Sequence, residues 1–135
     1  MNDEYTEKLT HRGELKVQKK TWCIQYYFPG PDRRYNGTFV QIDGNNIDRY
    51  ISALRKNFEK YLALNKSVQS NTPIALKGDM GMTIIIGGRL TGVGLASYHM
   101  LIDSESELEK IIKEFKAAEI RAKEIQAMLK SSGIF

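Results

Sequence analysis

The sequence predicts an α+β protein: an antiparallel sheet of about four to five strands with two helices, in the order ββ-α-ββ-α. Three observations predict it. Strand-forming residues gather in two blocks, 15–42 and 74–102. After each block comes a stretch whose apolar residues recur at helical spacing, 47–67 and 104–132. Turn signals then cut the blocks into hairpins: Pro29-Gly30-Pro31-Asp32, Asn36-Gly37 and Gly87-Gly88. At 135 residues the chain reads as a single domain, 1–135.

Each element has its own warrant. Residues 1–12 are polar and mixed in charge, and read as a loose arm or a short helical start. Val17, Thr21, Trp22, Ile24, Tyr26, Tyr27 and Phe28 form a strand with a weak point at Lys19-Lys20. The prolines at 29 and 31 stop it, because neither can donate to a ladder. Thr38 to Ile42 resumes the pairing, so 15–42 is a hairpin with a long tip, Pro29 to Gly37. Asp43-Gly44-Asn45-Asn46 ends the strand and supplies a helix cap. The first helix carries the stripe Ile47, Ile51, Leu54, Phe58, Tyr61 and Leu62. Met82 to Ile86 is a continuous apolar run suited to a buried strand. Leu90 to Ile102 is a further strand, loosened at Gly92 and Gly94.

Ser104 and Glu107 form a capping box that opens the last helix, and Gly133 closes it. Its apolar residues are Leu108, Ile111, Phe115, Ala118, Ala122, Ile125 and Leu129, spaced three, four, three, four, three, four. A helix of this length, 104–132, exceeds what one small core needs. The seam therefore predicts a homo-oligomer built through this helix.

Composition bounds the function. The charged fraction is 27% and the hydrophobic fraction 41%, which suits a globular chain with a real core. No apolar run reaches the roughly 20 residues of a membrane span, and the polar start is no signal peptide. The single Cys23 forms no internal disulfide, so a cytoplasmic location is expected. The net charge of +4 permits an anionic partner without demanding one.

Most enzyme chemistry lacks its residues. His11 and His99 have no metal-spaced partner, so no metal site is expected. No Walker loop is present, and the glycines at 87, 88, 92 and 94 do not open a helix as a dinucleotide fingerprint would. Ser97, His99 and Asp103 could be assembled into a triad, but alternation along a strand brings such residues to one face by chance. The expectation is a binding protein with no catalytic residues and no cofactor.

Four features are open to a ligand, each with a plainer reading. Arg33, Arg34, Tyr35 and Asn36 at the hairpin tip suit a phosphate and a stacked base, or are a solvated tip. The aromatics Trp22, Tyr26, Tyr27 and Phe28 cover both faces of a strand. One face is core, and the other is a stacking platform or a subunit contact. Arg89 follows Gly87-Gly88, near Tyr98 and His99 if the next strand folds back; it is a ligand arginine or an exposed turn residue. Arg121 and Lys123 flank the thin part of the seam at Ala118 and Ala122, where an anion could enter. The alternative there is close packing with a Glu119–Lys123 pair.

The ββ-α-ββ-α order with its long final helix resembles the first-described family of Thoeris anti-defence proteins. Those are viral sponges that bind the glycosylated cyclic ADP-ribose signal made by host TIR enzymes and hold it uncleaved. The resemblance spans nearly the whole chain and rests on architecture. It implies a non-enzymatic phage protein acting in the host cytoplasm, a homo-oligomer with ligand pockets between subunits, and cyclic oligonucleotides as additional ligands. The family surrounds its ligand with aromatic, asparagine and arginine side chains. Here that implies Arg33, Arg34, Tyr35, Asn36, Arg89 and Arg121, and Tyr98 joins them as a ligand candidate through its expected place near Arg89. Two other classes stand beside it: a single-stranded nucleic-acid-binding module, and an oligomeric inhibitor of a host protein.

Overall fold

The computed structural model describes residues 3–9, 13–28, 38–96 and 99–135, the side chain of Thr38 excepted. The elements are β1 (Tyr5–Lys8), β2 (Gly13–Val17), β3 (Trp22–Phe28), β4 (Thr38–Asp43), α1 (Ile47–Ser67), β5 (Ile74–Lys77), β6 (Thr83–Ile86), β7 (Gly92–Ala96), β8 (His99–Ile102) and α2 (Glu105–Ser131). The class is α+β and antiparallel, as expected. The described strands form two four-stranded sheets, β1-β2-β3-β4 and β5-β6-β7-β8.

The strand number exceeds the expectation for three local reasons. Lys19-Lys20 is a full turn, with Gln18 N–H donating to the Thr21 carbonyl at 2.8 Å, so the predicted first strand becomes β2 and β3. Val93 pairs with Ile102 and Ala96 with His99, so the predicted last strand is a hairpin, β7 and β8. The N-terminal stretch is also a strand: Tyr5 to Lys8 pair with Val17 to Glu14. Its alternation puts Tyr5 and Glu7 on one face and Thr6 and Lys8 on the other, a period of two that four residues display only weakly in sequence.

The chain divides into two compact units. The first contains residues 1–47 and 113–135, hence β1–β4 and most of α2. Leu15, Val17, Ile24, Tyr26 and Ile42 are buried on one face of its sheet, and Phe115, Ala118, Ala122 and Ile125 are buried on the helix. Tyr26 and Phe115 meet ring to ring, with centroids 6.5 Å apart and planes tilted by 58°. Gln126 Nε2 donates to the Gln18 carbonyl at 3.0 Å, which fastens the helix to the β2–β3 turn.

The second unit is residues 48–112. Its core takes Leu54, Phe58 and Tyr61 from α1, Ile84, Ile85 and Ile86 from β6, Val93 and Leu95 from β7, and Leu108, Ile111 and Ile112 from α2. Asn57 is the buried polar exception. It accepts from Asp79 N–H at 2.9 Å and donates to the Asp79 carbonyl at 3.1 Å, bracing the turn between β5 and β6. Leu62, expected in the buried stripe of α1, is exposed.

The three helix-terminus expectations resolve differently. Ser104 Oγ accepts from Glu107 N–H at 3.2 Å and so caps α2. Gly133, with φ 78°, closes α2, with Ile134 N–H donating to the Leu129 carbonyl at 2.9 Å. Asp43 does not cap α1; a short 3-10 turn, Gly44–Asn46, intervenes, and the Asp43 carboxylate accepts instead from Gln41.

The heptad seam is used inside the chain. Leu108, Ile111, Phe115, Ala118, Ala122 and Ile125 are all buried, and Leu129 is half-buried. The helix is long because two units each take a part of it, so the residues whose spacing predicted self-association are packed within the chain. Among the described residues no helix is long and apolar enough to cross a membrane.

Candidate functional site: the outer face of the first sheet

Alternation along β1–β4 fixes which side chains leave the core. Leu15, Ile24, Tyr26 and Ile42 point inward, so Glu14, Lys16, Cys23, Gln25, Tyr27, Phe39, Gln41 and Asp43 share the outer face. The register of β3 and β4 sets Tyr27 opposite Phe39 and Gln25 opposite Gln41. Tyr27 is 57% exposed and Phe39 51% exposed. Two large rings that a core would normally take stand side by side on an open surface. Such an arrangement suits stacking of flat rings, because directly opposed residues of an antiparallel pair lie close together.

Below the rings runs a chain of amides. Gln25 Nε2 donates to Gln41 Oε1 at 2.9 Å, and Gln41 Nε2 donates to Asp43 Oδ1 at 2.9 Å. The carboxylate only accepts, so it orients both amides in turn. Beside them Cys23 is half-buried, and burial pushes its thiol above the ordinary value. Lys16 lies 4.0 Å from Glu4 in a loose ion pair. The face therefore combines two rings, ordered amides and mixed charges.

The residues expected from sequence fare unequally. Arg33, Arg34, Tyr35, Asn36 and Tyr98 lie outside the described residues, as do Ser97 and His11. Arg89 is exposed on the β6–β7 turn, after Gly87 and Gly88 at φ 71° and 68°, a conformation that only glycine adopts without strain. Arg121 is engaged within the first unit. Its Nε donates to Glu7 Oε2 at 3.0 Å and its Nη2 to Glu7 Oε1 at 3.0 Å, while Nη1 reaches Glu124 at 3.4 Å. That fork clamps strand β1 to α2. It also holds the Glu7 carboxyl below its ordinary value. Arg121 and Arg89 belong to different units. The predicted Glu119–Lys123 pair does not form among the described residues.

Tyr27 was legible from alternation alone, since Tyr26 and Tyr27 must face opposite ways. Phe39 was not, because only the pairing register sets it beside Tyr27. A second feature had no sequence signal: an open cleft of about 450 Å³ beside the β2–β3 turn, lined by Asp3, Gln18, Lys19, Lys20, Thr21, Ile134 and Phe135. Among the described residues no cluster of His, Cys, Asp or Glu could hold a metal ion. Compared with known proteins, the chain matches no family model, no curated protein and no solved structure.

Proposed function

We propose that this protein is a non-enzymatic binder of a nucleotide ligand, a phage anti-defence sponge that sequesters a cyclic nucleotide immune signal of the glycosylated cyclic ADP-ribose type. One observation carries the proposal: the exposed Tyr27–Phe39 pair on the outer face of the first sheet, with the Gln25–Gln41 amides beside it. The rings supply flat apolar surface for a base, and the amides supply hydrogen bonds to its edge. Capture without cleavage requires neither a general base nor a metal. In this reading the protein acts in the host cytoplasm. It assembles as a homo-oligomer through the C-terminal helix, whose exposed side carries Ile120 and Met128.

A second reading, a single-stranded nucleic-acid-binding module, is favoured by the openness of the same face. A strand can run across an open sheet, stacking successive bases on the rings. Titration calorimetry with a cyclic ADP-ribose signal, a cyclic dinucleotide and an oligothymidine separates the readings. A sponge binds the cyclic signal with little dependence on salt and releases it intact on heating. A nucleic-acid module binds the oligothymidine, and its affinity falls steeply with salt. Tyr27→Ala with Phe39→Ala should cost about tenfold to a hundredfold in either case, at roughly 1–3 kcal/mol per stacked base. Arg33→Ala with Arg34→Ala should weaken binding while the apo melting temperature stays unchanged. Binding of no nucleotide at all would reject both readings in favour of an inhibitor of a host protein.

A further inference from the structure

Helix α2 carries a row of lysines that the fold leaves unused. Lys116, Lys123 and Lys130 recur at every seventh residue, and Lys113 precedes them by three. All four are exposed. Among the described residues none of the four takes part in an ion pair or a side-chain hydrogen bond. At 1.5 Å per residue the row spans about 25 Å, with steps of about 10.5 Å between successive heptads. Seven residues make almost two full turns, so these lysines stay on one side of the helix.

The row is held in a fixed orientation. Phe115, Ala118, Ala122 and Ile125, on the opposite side of α2, are buried in the first unit. The bidentate Arg121–Glu7 bridge fixes the rotation of the helix further. The residues between the lysines include Ala117, Ile120 and Ala127, all shorter than lysine, so the ammonium groups stand proud of the surface. The acids nearby are fewer than the lysines: Glu124 is turned to Arg121, and Glu119 is half-buried without an ion pair to Lys123, so the row keeps a net positive charge.

We propose that this face of α2, between Lys113 and Lys130, is a sequence-independent contact surface for the phosphate backbone of duplex nucleic acid. A rigid row of positive charge along one side of a helix fits a rigid polyanion. The other anionic partners fit less well. A single strand is gripped by stacking, and the exposed side of α2 carries no aromatic residue. A membrane surface needs a broad apolar face to insert, and the exposed side of α2 offers only Ile120 and Met128 beside the small Ala117 and Ala127. An acidic helix needs a continuous apolar seam between the charges, and on this side Ala117, Ile120 and Ala127 are interrupted by Lys113, Glu124 and Ser131.

Fluorescence anisotropy with a 20-base-pair duplex, titrated at 50 to 200 mM salt, tests the proposal. Four lysine–phosphate contacts predict a slope of log K against log salt of about −3.6, independent of duplex sequence. Lys116→Glu with Lys123→Glu should weaken binding at least tenfold at 50 mM salt. Lys116→Gln with Lys123→Gln should flatten the slope by about 2, with the circular dichroism spectrum of both variants unchanged. Tyr27→Ala with Phe39→Ala should leave duplex binding intact, which separates this surface from the outer face of the first sheet. The proposal is overturned by absence of duplex binding at 50 mM salt, or by lysine variants that bind like the parent. It is equally overturned by binding confined to single strands and lost with the aromatic variant, or by preference for anionic vesicles.

Discussion

Gly13 faces Tyr26 across the β2–β3 ladder, and a Cβ there would lie 2.6 Å from Tyr26 Cε1. Tyr26 is fully buried, so it has nowhere to move. Gly13→Ala should therefore destabilise the fold by about 1–3 kcal/mol, the usual cost of overpacking, read as a lower midpoint in urea. Glu7 gives a pH signature at the same scale. Its hydrogen bonds from Arg121 lower its pKa below the ordinary 4.5. A carboxyl lowered in the folded state stabilises above its unfolded value, and that contribution fades as pH falls through the folded value. The melting temperature of the parent should thus drop between pH 5 and pH 3 more than that of Glu7→Gln. Equal drops would remove the clamp from the account. Asn57→Ala should cost about 2 kcal/mol, because Asp79 N–H would lose its acceptor inside the β5–β6 turn.

Helix α2 shows what a periodicity can and cannot say. Its spacing located the buried stripe correctly, from Leu108 to Ile125, and its capping box located its start. The spacing carried no information on what covers the stripe. The cover is the protein's own two units, which no local pattern reports because β1–β4 lie about a hundred residues away in sequence. Ala118→Glu, which the seam argument would treat as an oligomer-breaking change, should instead lower the melting temperature of the single chain, since Ala118 is 1% exposed within it. Light scattering beside a thermal melt checks this: the melt should shift whatever the particle size does. The strands teach the same lesson. Turn residues marked the β6–β7 turn at Gly87-Gly88 but not the β1–β2, β5–β6 or β7–β8 pairings, and alternation marked Tyr27 as outward, while the partnership of Tyr27 with Phe39 depended on register. Arg121 looked like a ligand arginine because its acidic partner, Glu7, lies 114 residues away in sequence.

On the scale of the molecule, the first unit is assembled from two distant pieces of chain, while the second is one continuous stretch, 48–112. Deleting residues 113–135 should therefore strip the cover from Ile24, Tyr26 and Leu15. Hydrogen exchange should then show β1–β4 unprotected while β6 and β7 keep their slow amides. Protection of both sheets in that fragment would contradict the division. The same division sets an order of events during synthesis. Residues 48–112 are made as one continuous stretch, whereas β1–β4 leave the ribosome well before their helical partner. About 70 residues separate Asp43 from Lys113, a delay of roughly 4–14 s at ordinary elongation rates. For that interval one whole sheet face is hydrophobic and uncovered, which makes a newborn chain of this protein a client for the chaperones of whatever cell translates it.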